Sequence, residues 1–469
     1  QQATDLSNTT EGWITGLLLT SQTLNKGMGD IDAVTRASGI GLYEYLAQQV
    51  LDQQPYSIQE FLLNTSILEE FNADLCASVL GGGLALSEDW NKLIDHIVQN
   101  NLFVIQINND SFWIRYHHLF RDFLRSTIEK QRPEDARKIK LDLALYFEKT
   151  GEREKAFNIY KNLGEKDLIV NLIASVGSEY LSKGKIKKLS SWFSAIPENY
   201  YVHDSKLLSI SASISVNQGK VQEGCIIFDN VIDILREGKD TKPLADNLIR
   251  RSIALRLLGN YEAAMRDANE AISLVQKKMS LGHLYSEALR AKGIILWRNG
   301  KLKKSLVFLE KAIKLCEEDN RVEDIARIHI EIGAINEELG QFSIAEKAYN
   351  HSLAYFQSVG DSISQPVILN NLGVLLHSTG DFIKSFQTLE KSMHYSQITG
   401  NKRMEGFSLA SIGDLYRDIS AFDEASNAYQ RAIEIAINTK DQILVFYVKI
   451  AQARLSSQSK NVKKAQMYL

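Results

Sequence analysis

"IGAINEELGQFSIAE", residues 332 to 346, and "LGVLLHSTGDFIKSF", residues 372 to 386, are two copies of one pattern, and that pattern decides the fold. In each copy a glycine stands seven residues before a second glycine, a phenylalanine follows two residues after it, and a small residue follows five after. The second glycine recurs as Gly219, Gly259, Gly300, Gly340 and Gly380, spaced 40 or 41 residues, and Ser420 and Lys460 continue the series. The position seven residues earlier stays small throughout: Ala212, Ser252, Gly293, Gly333, Gly373, Gly413 and Ala453. Short side chains on both helices flanking a turn let two backbones approach closely, so each unit reads as a helical hairpin.

The spacing of small residue, turn glycine, aromatic and small residue resembles the tetratricopeptide repeat. That repeat has a period of about 34 residues, so each helix here is expected to be longer by most of a turn. Hairpins of this kind bury apolar faces only against their neighbours and stack into a superhelix, with a groove lined by the first helix of each unit. By the repeat's register the lining includes Arg256, Arg290, Trp297, Arg327, Glu337, Asn370, His377, Asp414, Arg417 and Arg454. Taken singly, each is more simply a residue on a solvated helix face; as a set, the recurring arginines and an exposed tryptophan mark a binding surface. Weaker hairpins precede the array, with Gly151 before Ala156 in "TGEREKAFNIY" and Gly184 opening "GKIKKLSSWFSAIP". Irregular units are thus expected over 134–205 and the regular array over 206–469.

Composition limits the function. A formal charge of -3, with 24% of residues charged in both signs, gives no basic surface for a polyanion. The three cysteines, Cys76, Cys225 and Cys316, stand far apart without a C-x-x-C pair, which argues against a disulfide framework or zinc knuckle and fits a cytoplasmic setting. No apolar run approaches the roughly 18 residues that span a bilayer. Five prolines among many Leu, Ile, Ala, Glu and Lys favour helix, and the fold is expected to be mainly all-α. The chain opens without Met and stops inside an apolar-periodic segment, "NVKKAQMYL", which reads as a fragment of something longer.

Residues 55–133 change character. Helical patterns "SIQEFLLNTSIL", "NADLCASVL" and "SEDWNKLIDHIVQN" lead into "LFVIQINNDSFWIRY", where two apolar runs flank a turn signal, and then into "HHLFRDFLR". Three helices, a two-stranded wing and a closing helix describe a winged-helix domain. Its third helix, 87 to 99, carries three acidic residues and one lysine, a poor match to a phosphate backbone. On a helical wheel, Leu119, Phe120, Phe123, Leu124 and Ile128 make the apolar face of the closing helix; His117 falls at its edge, and His118 points away with Arg121 and Arg125. Adjacent histidines on a helix do not converge on one ion, so no metal site is expected. On pattern alone His117 is a half-buried structural histidine at a helix start.

Four stretches in order, "EGWITGLLLTSQTL" (11–24), "FLLNTSILEEFNADLCASVLG" (61–81), "NNLFVIQINNDSFWIRYHHLFRDFLR" (100–125) and the hairpins, resemble the MalT-like signal-transduction ATPases, the large ATP-binding LuxR-type regulators. The likeness covers essentially the whole chain. It implies that residues 1–54 end a helical lid domain of a STAND nucleotidase. It also implies a switch in which the winged helix and the repeat sensor hold an ADP-bound resting monomer, until an inducer in the groove permits nucleotide exchange and oligomerisation. In this class the closing helix of the winged domain carries an M-H-D motif whose His contacts the ADP β-phosphate; "YHHLF" matches it with His117, and with His118 at the Asp position. The class also has a Gly-x-Pro whose Pro packs on adenine; here Gly12 is present and Ile14 replaces the proline. No G-x-x-x-x-G-K-[ST] occurs, so the fragment is not expected to be an enzyme. ADP or ATP, the ATPase module in cis and a DNA-binding effector belong to the full-length protein. The alternative is a scaffold whose array only docks a partner peptide.

Overall fold

A computed structural model of the 469-residue chain describes residues 42–81, 89–107, 113–238, 240–276, 278 and 281–458. Among the described residues are 22 α-helices and one two-stranded sheet, divided between two compact units, 1–201 and 202–469. The fold is mainly all-α, as the composition and hairpin pattern predict.

In the first unit, α1 (Leu42–Asp52), α2 (Tyr56–Thr65), α3 (Ala73–Leu80) and α4 (Trp90–Gln99) precede β1 (Val104–Gln106), β2 (Ile114–Tyr116) and α5 (His118–Gln131). The wing pairs antiparallel, Val104 opposite Tyr116 and Gln106 opposite Ile114. Ile114 also exchanges two backbone hydrogen bonds with Phe71, at 2.9 and 3.0 Å, which ties the wing to the chain entering α3. Strand alternation sends Ile114 and Tyr116 inward and Arg115 outward. Phe61, Phe71, Tyr116 and Phe120 then meet ring to ring at centroid distances of 5.1 to 6.0 Å. The buried Tyr116 hydroxyl lies 2.6 Å from that of Thr65, so two polar groups satisfy one another inside the core. The third helix starts at Trp90, where Asp89 accepts from the Asn91 amide.

On α5, Phe120, Leu124 and Ile128 are buried and Phe123 packs partly against them. The outward placement of Arg125 is corrected: its Nη2 donates to the Ile67 carbonyl at 3.0 Å, because a long stem lets the guanidinium fold back to an orphan carbonyl after α2. The helices α6 (Pro133–Thr150), α7 (Arg153–Leu163), α8 (Lys166–Ser182) and α9 (Ile186–Phe193) complete this unit. The basic run "KGKIKK" is absorbed locally: Lys183 donates to Glu179, Lys188 pairs with Glu154, and Lys185 sits over the Tyr180 ring.

The second unit alternates first helices α10 (Ser205–Asn217), α12 (Thr241–Leu257), α14 (Gly282–Arg298), α16 (Val322–Glu338), α18 (Gln365–Ser378), α20 (Lys402–Asp418) and α22 (Gln442–Gln458) with second helices. The latter are α11 (Val221–Gly238), α13 (Tyr261–Val275), α15 (Leu302–Glu318), α17 (Phe342–Ser358), α19 (Phe382–Ile398) and α21 (Phe422–Asn438). Most are 17 residues long, which with short turns accounts for the long period.

The small position before each turn is where the hairpin closes. A Cβ added at Gly333 would stand 2.5 Å from a Tyr349 ring carbon, and one at Gly413 would stand 2.6 Å from the Tyr429 ring. At Gly293 and Gly373 the opposing residue is leucine, and there Ser305 and Ser385 each donate to the glycine carbonyl, at 2.6 and 2.7 Å. The turn residue itself adopts φ of +73° at Gly340 and +65° at Ser420, a conformation that costs an L residue about 1 kcal/mol or more.

Three outcomes follow for stability. Gly333→Ala is expected to destabilise the array by about 1–3 kcal/mol in denaturant unfolding, since the ring has to shift. Ser420→Gly is expected to stabilise it by up to about 1 kcal/mol and raise Tm. His329 on α16 lies tilted against His351 of α17, ring centroids 4.2 Å apart, and burial, with the neighbouring imidazole, pushes its pKa down from 6.5 to about 4. Between those values the unfolded chain takes up a proton that the folded chain refuses, so stability falls as pH drops through that window. A His329→Gln chain should show a flatter Tm against pH.

Candidate functional site

Two places carry the residues singled out by sequence: the surface formed by the first helices of the array, and the start of α5. On the array, cross-repeat hydrogen bonds bring the groove residues together. Arg290 on α14 grips Glu331 on α16, its Nε 3.0 and 3.1 Å from the two carboxylate oxygens and its Nη2 also on Oε1. The indole Nε1 of Trp297 donates to Glu338 at 2.9 Å. One level on, Asn370 of α18 accepts from Ser411 of α20 at 3.2 Å, and His377 Nε2 lies 3.1 Å from Asp418. Each of these pairs spans 41 residues.

Other members are held within or beside their own hairpin. Glu337 accepts from the Tyr349 hydroxyl at 3.0 Å, and burial pushes its carboxyl above the usual range. Asp414 accepts from Arg417, from Tyr429 and from Tyr447 on α22, at 2.6 to 2.7 Å. Arg417 pairs in addition with Asp418, and Arg327 with Glu323 on its own helix while lying over the Phe356 ring. Burial opposes the Arg290 charge, but the Glu331 carboxylate outweighs it and holds the guanidinium above its ordinary pKa. Arg256 and Arg454 make no ion pair among the described residues. Sequence reading missed the acceptors Glu331, Glu338 and Asp418, the donor Ser411 and the tyrosine hydroxyls, because nothing within one repeat shows which residue of the next it meets.

At the start of α5, His117 is the N-cap residue, with φ -55° and ψ 136°, so the helix proper begins at His118. Its amide donates to the Phe103 carbonyl at 2.7 Å, and its carbonyl receives the Arg121 amide at 3.0 Å. The ring is half-buried and tilted against that of exposed His118, with centroids 4.5 Å apart. Burial, then the neighbouring His118, lowers its pKa, so at neutral pH it carries no charge. It makes no side-chain cap hydrogen bond to the helix, whose start carries partial positive charge. Gly12 and Ile14 lie outside the described residues. Among the described residues no group of three His, Cys, Asp or Glu side chains is placed to hold a metal, and no helix is long and apolar enough to cross a membrane.

Residues 47–136 match the family model of the MalT winged helix domain, and residues 364–438 that of a tetratricopeptide repeat; a shorter stretch, 247–285, matches that of anaphase-promoting complex subunit 5. The HTH-type transcriptional regulator MalT of Yersinia pestis is 21% identical over 97% of this chain and 47% of its own length. That of Vibrio parahaemolyticus is 20% identical over 67% of this chain and 35% of its own.

The chain is MalT-like.

This MalT-like chain spans less than half the length of those regulators. Its fold is similar to that of a STAND protein with a tetratricopeptide repeat sensor from Pyrococcus horikoshii, at a TM-score of 0.61 and 15% identity, covering 99% of this chain and 68% of that one. It is also similar to a Rap protein complexed with competence and sporulation factor, at 0.53 and 13%, covering 71% and 95%. Such identities establish the fold and nothing finer. The winged-helix and repeat domains of the MalT-like chain are non-catalytic in kind.

Because the MalT-like groove is laced by its own pairs, substitutions there have a structural component. Arg290→Ala is expected to cost about 1–3 kcal/mol by stranding Glu331, and Glu331→Ala in the same chain should return part of it. A denaturant double-mutant cycle measures the coupling; additive losses would show that the pair is idle.

Proposed function

We propose that the chain is the regulatory region of a MalT-like signal-transduction ATPase: the repeat groove binds an inducer and, with the winged helix, restrains a nucleotide-binding module in its ADP-bound state. The observation that carries this reading is the joining, in one chain, of a MalT-type winged helix closed by a His117-led helix to a long repeat array. An imidazole at a helix start has the right chemistry to donate to a phosphate oxygen, so His117 fits a nucleotide phosphate on the full-length protein. The phosphate would add to that site the negative charge that a helix start favours.

Restraint by His117 predicts a kinetic signature. In the full-length regulator, His117→Ala should speed ADP release and give transcription without inducer, whereas His118→Ala should behave like the parent. Unchanged ADP off-rates and intact inducibility would sink the assignment. The scaffold alternative draws on the fold likeness to the Rap protein solved with its factor. It expects a peptide ligand in the groove and no effect of ligand on nucleotide exchange, so exchange measured with and without ligand separates the two.

A further inference from the structure

At two junctions between first helices the residue three before the turn meets the residue two before the next turn: Trp297 donates to Glu338, and His377 faces Asp418. In both rungs a nitrogen donor meets a carboxylate. The same two positions on α12 and α14 are Arg256 and Arg298, so two cations fall at this register. Neither has an ion-pair partner among the described residues, and the nearby Glu331 is already gripped by Arg290. Arg298 lies with its guanidinium carbon 4.0 Å from the Trp297 ring centroid, which fixes it on the groove side of α14. Arg256 is half-buried, and the positive charge of Arg298 adds to burial in disfavouring its own. Two like charges at this register, without the carboxylate that Trp297 and His377 each meet, cost free energy that an anion would recover. Beside them Ile253 and Leu257 are exposed, at 39% and 52%.

We propose that Arg256 and Arg298 form an anion site at one end of the groove, taking the carboxylate or phosphate of a small ligand whose apolar part lies against Trp297 and Ile253. This rests on the groove being the inducer site and names the inducer's class: a small anion with an apolar or flat face. A guanidinium pair suits it because planar forks bind carboxylate and phosphate oxygens two at a time.

The test is calorimetric titration of the 469-residue chain, at low salt, with phenyl phosphate, phenylacetate and neutral benzyl alcohol. The expected result is that at least one anion binds and the alcohol does not; comparison of the two anions tells phosphate from carboxylate. Arg256→Ala and Arg298→Ala should each weaken binding by about tenfold or more, while Lys384→Ala, exposed on the second helix α19, should not. Arg298→Glu restores the carboxylate of the other rungs opposite Arg256, so it should abolish anion binding while Tm holds or rises. Anion binding that persists in Arg298→Glu, or that matches the alcohol, overturns the site. If the anions fail on the parent chain but a metabolite binds and is lost in Asn370→Ala, the groove reading stands and the anion site falls; if nothing binds the groove, both fall.

Discussion

The close approach between a glycine on the first helix of a hairpin and a large side chain on the second is the contact on which the rest depends. At Gly333 the Tyr349 ring occupies the space where any other residue would carry its Cβ, and Gly413 and Tyr429 repeat the arrangement. Short backbone separation is what buries the apolar faces between paired helices, since a hairpin in a solenoid has no other core to join. The tyrosine does more than fill space. Its hydroxyl reaches through to Glu337 or Asp414, so the same contact that closes the hairpin also orients a carboxylate on the first helix.

Once hairpins close, successive first helices lie side by side and their polar residues pair across the junction. The resulting ladder runs through Arg290–Glu331, Trp297–Glu338, Asn370–Ser411 and His377–Asp418. Single rungs of this exposure are weak, so the ladder's importance lies in register and shape more than in summed energy. A ligand that bridges two rungs changes the contact between repeats, which is how a solenoid transmits binding along its length. Arg256 and Arg298 stand at the register that Trp297–Glu338 and His377–Asp418 occupy, without a carboxylate in either position.

The winged domain shows the same economy on a smaller scale. Phe71 joins the wing through Ile114, Tyr116 finds Thr65 in the core, and the strand then delivers the chain to α5 with His117 at its cap. The imidazole is therefore placed by the wing, through the Phe103 carbonyl that receives its amide, as much as by the helix it begins.

The repeat period, the hairpin, the lengthened helices and the winged-helix order were legible in the residues, because they rest on local periodicity: small residues where backbones touch, apolar residues every three or four, and turn residues at φ above zero. The resemblance to MalT-like regulators was legible for the same reason, since its motifs are contiguous. What only the tertiary structure decided is which groove residues remain for a ligand. Five of the ten residues chosen from the register proved to be bonded to another repeat, three more to their own hairpin, and Arg125 turned inward to a carbonyl 58 residues away. Those pairings depend on a one-residue offset between successive first helices, 10 before one turn to 9 before the next and 3 to 2. That offset is set by how whole hairpins stack, and no single repeat contains it.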